Sequence, residues 1–175
     1  MIAMNIQERA ERIKLLLLDV DGVLTDGRIV LGSYGDEIKN FDVKDGLGIL
    51  LARKAGIRCV IITAKSSKIV KTRARHLGIE RVYENHYKIK CLAAIKKRFR
   101  VKEEGICFVG DDLIDIPILK RVGFAVSVPN AVPDTKAAAH YITKNPGGKG
   151  AVREVCEIIL KARGKWEGIT AKYFE

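Results

Sequence analysis

A chain of 175 residues, 47% hydrophobic and 30% charged, is long enough to bury a core without disulfides and lacks the apolar depletion of a disordered polypeptide. Its 32 lysines and arginines against 21 acids give a net charge of +11, but the cations are spread along the chain. That spread argues against a nucleic-acid partner, while the positive field suits a small phosphorylated acid. Cys59, Cys91, Cys107 and Cys156 form no Cys-x-x-Cys pair, and no apolar run approaches membrane-spanning length, so a reduced, cytoplasmic protein without a membrane partner is expected.

The opening stretch through Lys14 is too charged to contain a signal-peptide apolar core, and residues 4–13 read as a short amphipathic helix. Leu15 to Leu18 form an unbroken apolar run that stops at Asp19, followed by Asp21 and Gly22. Such a run is the pattern of a parallel strand buried on both faces, with the two carboxylates at its C-terminal end. Two short alternating segments, Arg28 to Leu31 and Glu37 to Val43, flank a glycine-rich turn and predict a β-hairpin insertion at about 27–43. A helix then begins near Lys44-Asp45-Gly46 and stops at Gly56.

From there strands and helices alternate. Strands are expected at Arg58 to Thr63, Arg81 to Tyr83, Gly105 to Val109, Phe124 to Val128 and Tyr141-Ile142. The intervening helices are one capped by Ser66 or Ser67 and ending at Gly78, then 88–99, 113–122 and 131–138. A last helix runs from Ala151 to Ala162. This order predicts an α/β fold, a doubly wound parallel sheet with right-handed crossovers, in one domain spanning 1–175.

Three strand ends carry polar residues suited to one reaction: Asp19-x-Asp21, Thr63, and Gly110-Asp111-Asp112 with Asp115 just beyond. In open α/β sheets ligands bind at that edge. Carboxylates converging there would repel one another without a cation, and hard oxygen ligands beside a phosphate site favour Mg²⁺.

This pattern resembles the haloacid dehalogenase superfamily of phosphotransferases. Asp19-Val20-Asp21-Gly22-Val23-Leu24-Thr25 matches its first motif, Thr63 its second, a lysine at 88–90 its third, and Gly110-Asp111-Asp112 its fourth. The resemblance implies Asp19 as nucleophile and Asp21 as acid and base. It also implies Thr63 and a lysine on the phosphoryl oxygens, and Asp19, the Asp21 carbonyl, Asp111 and Asp112 around Mg²⁺. Lys90 directly precedes the apolar helical run and is preferred over Lys88 as the phosphate-binding lysine.

Over nearly the whole chain the sequence is similar to the 3-deoxy-D-manno-octulosonate 8-phosphate phosphatase family. The similarity is carried by Thr25-Asp26-Gly27 before the hairpin, by Phe41-Asp42-Val43-Lys44-Asp45-Gly46 and Gly110-Asp111-Asp112-Leu113-Ile114-Asp115, and by Gly147-Gly148-Lys149-Gly150-Ala151-Val152-Arg153-Glu154. It implies a capless haloacid dehalogenase fold, a phosphorylated acidic sugar substrate, a step of lipopolysaccharide biosynthesis, and a homotetramer whose hairpins associate. One departure follows Thr63, where Ala64-Lys65 replaces the family's usual Gly-Arg, so the pocket offers a point charge in place of a guanidinium fork. Lys65, Lys149 and Arg153 are the candidate substrate contacts. A phosphatase of a sialic-acid-type 9-phosphate and a phosphoacceptor receiver domain are the competing readings.

Overall fold

The computed structural model describes residues 4–175; the first three residues of the charged opening stretch lie outside them. The strands are β1 (Leu15–Leu18), β2 (Val30–Leu31), β3 (Glu37–Ile38), β4 (Arg58–Thr63), β5 (Arg81–Glu84), β6 (Ile106–Gly110), β7 (Phe124–Ser127) and β8 (Tyr141–Ile142). The helices are α1 (Ile6–Glu11), α2 (Val43–Lys54), α3 (Lys68–His76), α4 (Ile89–Phe99), α5 (Ile116–Leu119), α6 (Pro133–Ala137), α7 (Ala151–Ala162) and α8 (Trp166–Thr170). Six strands make one parallel sheet in the order β5-β4-β1-β6-β7-β8, and β2 and β3 pair antiparallel as a separate ribbon.

β1 lies at the centre because all four of its leucines are apolar and each face is covered. Leu16 and Leu18 enter the core that includes α2 and α7, whereas Leu15 and Leu17 enter the core with Leu92, Ile95 and Phe99 of α4. Burying four leucines is worth on the order of 10 kcal/mol as an upper estimate, comparable to the whole net stability of a domain. The residues that follow β1 are therefore attached to the best-anchored strand. Leu18 pairs level with Ile61 of β4 and Val109 of β6, so the chain leaves all three strands along one rim.

Local chemistry sets the element boundaries. Asn5 and Glu8 form a capping box on α1, Asp42 accepts from the Lys44 N–H at 2.6 Å to start α2, and Ser67 caps α3. The helix expected over 113–122 is broken into a 3₁₀ turn at Leu113–Asp115 and the short α5. Asp112 and Asp115 form a capping box there, and the Asp115 carboxylate takes backbone N–H groups of the preceding loop. The hairpin strands are two residues each and stand exposed. The tail folds into α8 and a 3₁₀ turn, which the sequence reading did not resolve; Trp166 packs on the core between Arg153 and Lys161. Among the described residues no helix is long and apolar enough to cross a membrane.

Candidate active site

The loop after β1 is tightly pinned. Thr25 Oγ1 donates to the Val20 carbonyl at 3.3 Å and accepts from the N–H groups of Gly22 and Gly27. Gly22 has φ +90°, and a Cβ there would stand 2.0 Å from Asp111 Oδ2, so only glycine lets the β1 and β6 loops close on each other. Asn130 ties this loop to the glycine-rich segment before α7, donating to the Gly22 carbonyl at 3.1 Å and accepting from the Gly147 N–H at 2.8 Å. Sequence reasoning missed Asn130, whose position next to Pro129 reads only as a turn.

At the centre stands Lys88, whose side chain is 1% exposed. Its Nζ lies 2.7 Å from Asp19 Oδ1 and 2.6 Å from Asp115 Oδ1. This corrects the expectation for Lys90. Lys88 precedes the first residue of α4 and points into the sheet rim, whereas the Lys90 ammonium lies outside against the Tyr87 ring, 4.8 Å from its centroid. An ammonium is buried only where carboxylates receive it. Desolvation works against the charge on Lys88, but the Asp19 and Asp115 carboxylates outweigh it and its pKa is raised.

Carboxylate oxygens of Asp19, Asp111 and Asp115 lie within 4.8 Å of one another. Burial, and next the Asp115 charge, push Asp19 well above the usual carboxylate range despite Lys88. The same two causes push Asp111 up to about 6. Asp115 is fully buried and already spent: Oδ1 receives Lys88, and Oδ2 receives the N–H groups of Asp111 and Asp112 at 3.0 and 3.2 Å. Asp111 Oδ1, by contrast, is buried with no hydrogen-bond partner among the described residues. One lysine against three acids leaves an excess of negative charge and an orphaned hard oxygen, which fits a divalent cation held by Asp19 and Asp111.

Asp112 does not join this group. Its exposed carboxylate caps the 3₁₀ turn by accepting from the Leu113 N–H at 2.7 Å, and the buried third acid is Asp115. Thr63 is buried at the end of β4, on the same rim. Asp21 has a 40% exposed side chain, and its Oδ1 accepts from Lys39 Nζ of the hairpin at 2.5 Å. Lys65, in the turn after Thr63, and Lys149, in the segment before α7, are both exposed. Arg153 does not present a free guanidinium to the rim: its Nε donates to Glu157 at 2.8 Å, and it stacks 5.3 Å from the Trp166 ring. Lys149 and Arg153 share a cavity of about 330 Å³ with Lys44, Tyr141 and Glu154, and none of the three clustered aspartates lines it.

A carboxylate nucleophile candidate, a buried lysine, a strand-end threonine and an acid with an unpartnered oxygen, all along one edge of a parallel sheet, are the groups that phosphoryl transfer through an aspartate requires. The family profile of haloacid dehalogenase-like hydrolases matches residues 62–155, and the chain belongs to that family. Within it, the 3-deoxy-D-manno-octulosonate 8-phosphate phosphatase of Escherichia coli K12 is 42% identical over 165 residues, 94% of this chain and 88% of that protein. The crystal structure of the Moraxella catarrhalis enzyme, in complex with a magnesium ion, a phosphate ion and a KDO molecule, superposes with a TM-score of 0.94 at 41% identity, covering 96% of this chain and 97% of that one. The cobalt-bound enzyme of Haemophilus influenzae gives a TM-score of 0.89 at 34% identity, covering 95% and 98%. The chain is a member of the 3-deoxy-D-manno-octulosonate 8-phosphate phosphatase family. That membership sets aside the receiver-domain reading.

Proposed function

We propose that this chain hydrolyses 3-deoxy-D-manno-octulosonate 8-phosphate to the free sugar acid and phosphate. The observation that carries the reading is the buried Asp19–Lys88–Asp115 cluster at the sheet rim, with the orphaned Asp111 oxygen beside it. Asp19 attacks phosphorus while Asp21 gives a proton to the departing sugar oxygen; an aspartyl phosphate forms as the phosphorus–oxygen bond to the sugar breaks. Asp21 then takes a proton from water, whose oxygen displaces Asp19 and completes inorganic phosphate. Lys88 has three N–H donors and spends two on Asp19 and Asp115, which leaves one for a phosphoryl oxygen. Thr63 supplies a hydroxyl to another. Asp19, Asp111 and the Asp21 carbonyl hold Mg²⁺, which neutralises charge on the phosphoryl group and so relieves its repulsion of the Asp19 carboxylate.

The substrate carries a carboxylate besides its phosphate, and exposed Lys65 is the substrate contact best placed by sequence, directly after Ala64 and Thr63. Arg153 is committed to Glu157 and Trp166 and is left out of the substrate contacts. The described residues act as one catalytic unit in the cytoplasm. Between β1 and α2 the chain supplies only a hairpin, and Ile29, Leu31 and Tyr34 on it are 62%, 68% and 99% exposed. Such a ribbon is marginal by itself and gains stability by packing on other copies, in a homotetramer that walls the open rim. Phosphate release from 3-deoxy-D-manno-octulosonate 8-phosphate and from a sialic-acid-type 9-phosphate, each with and without Mg²⁺, tests the reading. A higher kcat/KM on the octulosonate, lost with EDTA, is expected; equal or reversed preference overturns the substrate.

A further inference from the structure

The hairpin reaches the reaction centre of its own subunit. Lys39, directly after β3, turns back from the ribbon and places its Nζ 2.5 Å from Asp21 Oδ1 and 2.9 Å from Glu37 Oε1. The Lys39 side chain is only 4% exposed, although the ribbon bearing it is open to solvent. An ammonium so enclosed has lost rotamer freedom, and the two carboxylates fix where it sits. Glu37 and Lys39 flank Ile38 in extended chain, so Ile38 faces outward at 48% exposure while the Glu37 and Lys39 side chains pair with each other and Lys39 alone reaches Asp21. Asp21 Oδ1 is taken by this contact, and Oδ2 has no partner among the described residues.

We infer that Lys39 is a positioning residue: it clamps one oxygen of Asp21, with Glu37 holding the clamp, so that the other oxygen faces the leaving sugar oxygen and, later, the attacking water. The inference rests on the role proposed for Asp21. It makes the hairpin part of the catalytic apparatus of its own chain, in addition to any surface it offers a neighbour. A proton donor misdirected by a fraction of an ångström loses much of its effect, because transfer requires a near-linear approach. Lys39 itself touches neither the phosphorus nor the leaving oxygen.

The test uses the full chain with Mg²⁺ and two substrates that differ in their need for a proton. The sugar phosphate expels a poor alkoxide and depends on Asp21; p-nitrophenyl phosphate expels a phenolate that leaves without help. For Lys39→Met, kcat/KM on the sugar phosphate should fall by about ten- to a hundredfold, while kcat/KM on p-nitrophenyl phosphate changes less than about threefold. Because the second half-reaction also uses Asp21, p-nitrophenol should appear as a burst followed by a slow steady state. Lys39→Arg, which keeps a donor, should recover much of the sugar-phosphate rate, and circular dichroism with the melting temperature checks that both variants fold.

An equal loss on both substrates, or unchanged activity on both, overturns the inference. So does an arginine variant as impaired as the methionine one. Asp21→Asn serves as the reference. If it retains full sugar-phosphate turnover, the role of Asp21 has failed; if it is inactive while Lys39→Met is normal, only the positioning by Lys39 has failed.

Discussion

Replacing Lys88 by methionine removes the one cation from a buried group of acids. At 2.7 and 2.6 Å, each carboxylate attracts the ammonium by roughly 6 kcal/mol in a medium of effective dielectric about 20. Much of that gross attraction is offset by the desolvation of all three groups, and removing one partner of such a cluster costs a net 3–5 kcal/mol or so. For a chain of this size that loss lowers the melting temperature by about 10 °C, and Asp19, already raised by burial, shifts further toward its protonated, non-nucleophilic form. Losing a preorganised charge on the phosphoryl group adds on the order of a hundredfold or more in kcat. Lys90→Met is the control: its ammonium rests on the Tyr87 ring at the surface, so a change of about 1 kcal/mol at most and near-normal turnover are expected. Thermal denaturation and steady-state phosphate release on the two variants decide between the lysines. A dead Lys90→Met beside an active Lys88→Met refutes the reasoning.

Other consequences are open to measurement. Asp45, almost fully buried, accepts from the Arg153 N–H at 2.7 Å, and its second oxygen has no partner among the described residues. Burial pushes its pKa to about 6, against the pull of that backbone donor. Because the folded pKa lies above the ordinary 3.8, the folded protein binds the proton more tightly; stability falls as pH rises from about 4 to 6, by up to about 3 kcal/mol. Asp45→Asn should make the fall of urea midpoints across that window shallower, with Asp19 and Asp111 supplying the remaining slope, and parallel curves for the two proteins contradict the account. Gly22→Ala forces a Cβ into Asp111 at a positive φ; the melting-temperature gain on adding Mg²⁺ should shrink or vanish, and an unchanged gain contradicts the geometry. Leu31→Asp puts a charge on the exposed apolar ribbon, so light scattering should show the proposed homotetramer breaking into smaller species. A monomeric native protein rules out assembly through the hairpin.

The sheet and the rim that gathers most of the candidate site were legible in the sequence because their signals are local. Leu15 to Leu18 can be little else than a doubly buried strand, and acids or a threonine at the ends of such strands share a rim once β4, β1 and β6 are neighbours. What escaped depends on which way a side chain turns. Lys88 and Lys90 lie two apart at the start of one helix, and propensity favoured the residue adjoining the apolar run; tertiary charge placed the other inward. Asp112 and Asp115 are equally acidic in sequence, yet the capping box makes one an exposed cap and the other the buried partner of Lys88. The helix expected over 113–122 lost its regular first turn for the same reason, as the Asp115 carboxylate took loop donors. Lys39 gave only the alternation of Glu37, Ile38 and Lys39 as a hint, since nothing local says that a hairpin lysine bends back to Asp21.

The central claim is that Asp19 carries the phosphoryl group. Native enzyme mixed with Mg²⁺ and 3-deoxy-D-manno-octulosonate 8-phosphate, quenched in acid within milliseconds and reduced with borohydride, should yield a peptide in which residue 19 has become homoserine, the signature of an acyl phosphate at Asp19. Turnover with no reduction at residue 19, or with the modification at Asp21 or Asp111 instead, contradicts the mechanism.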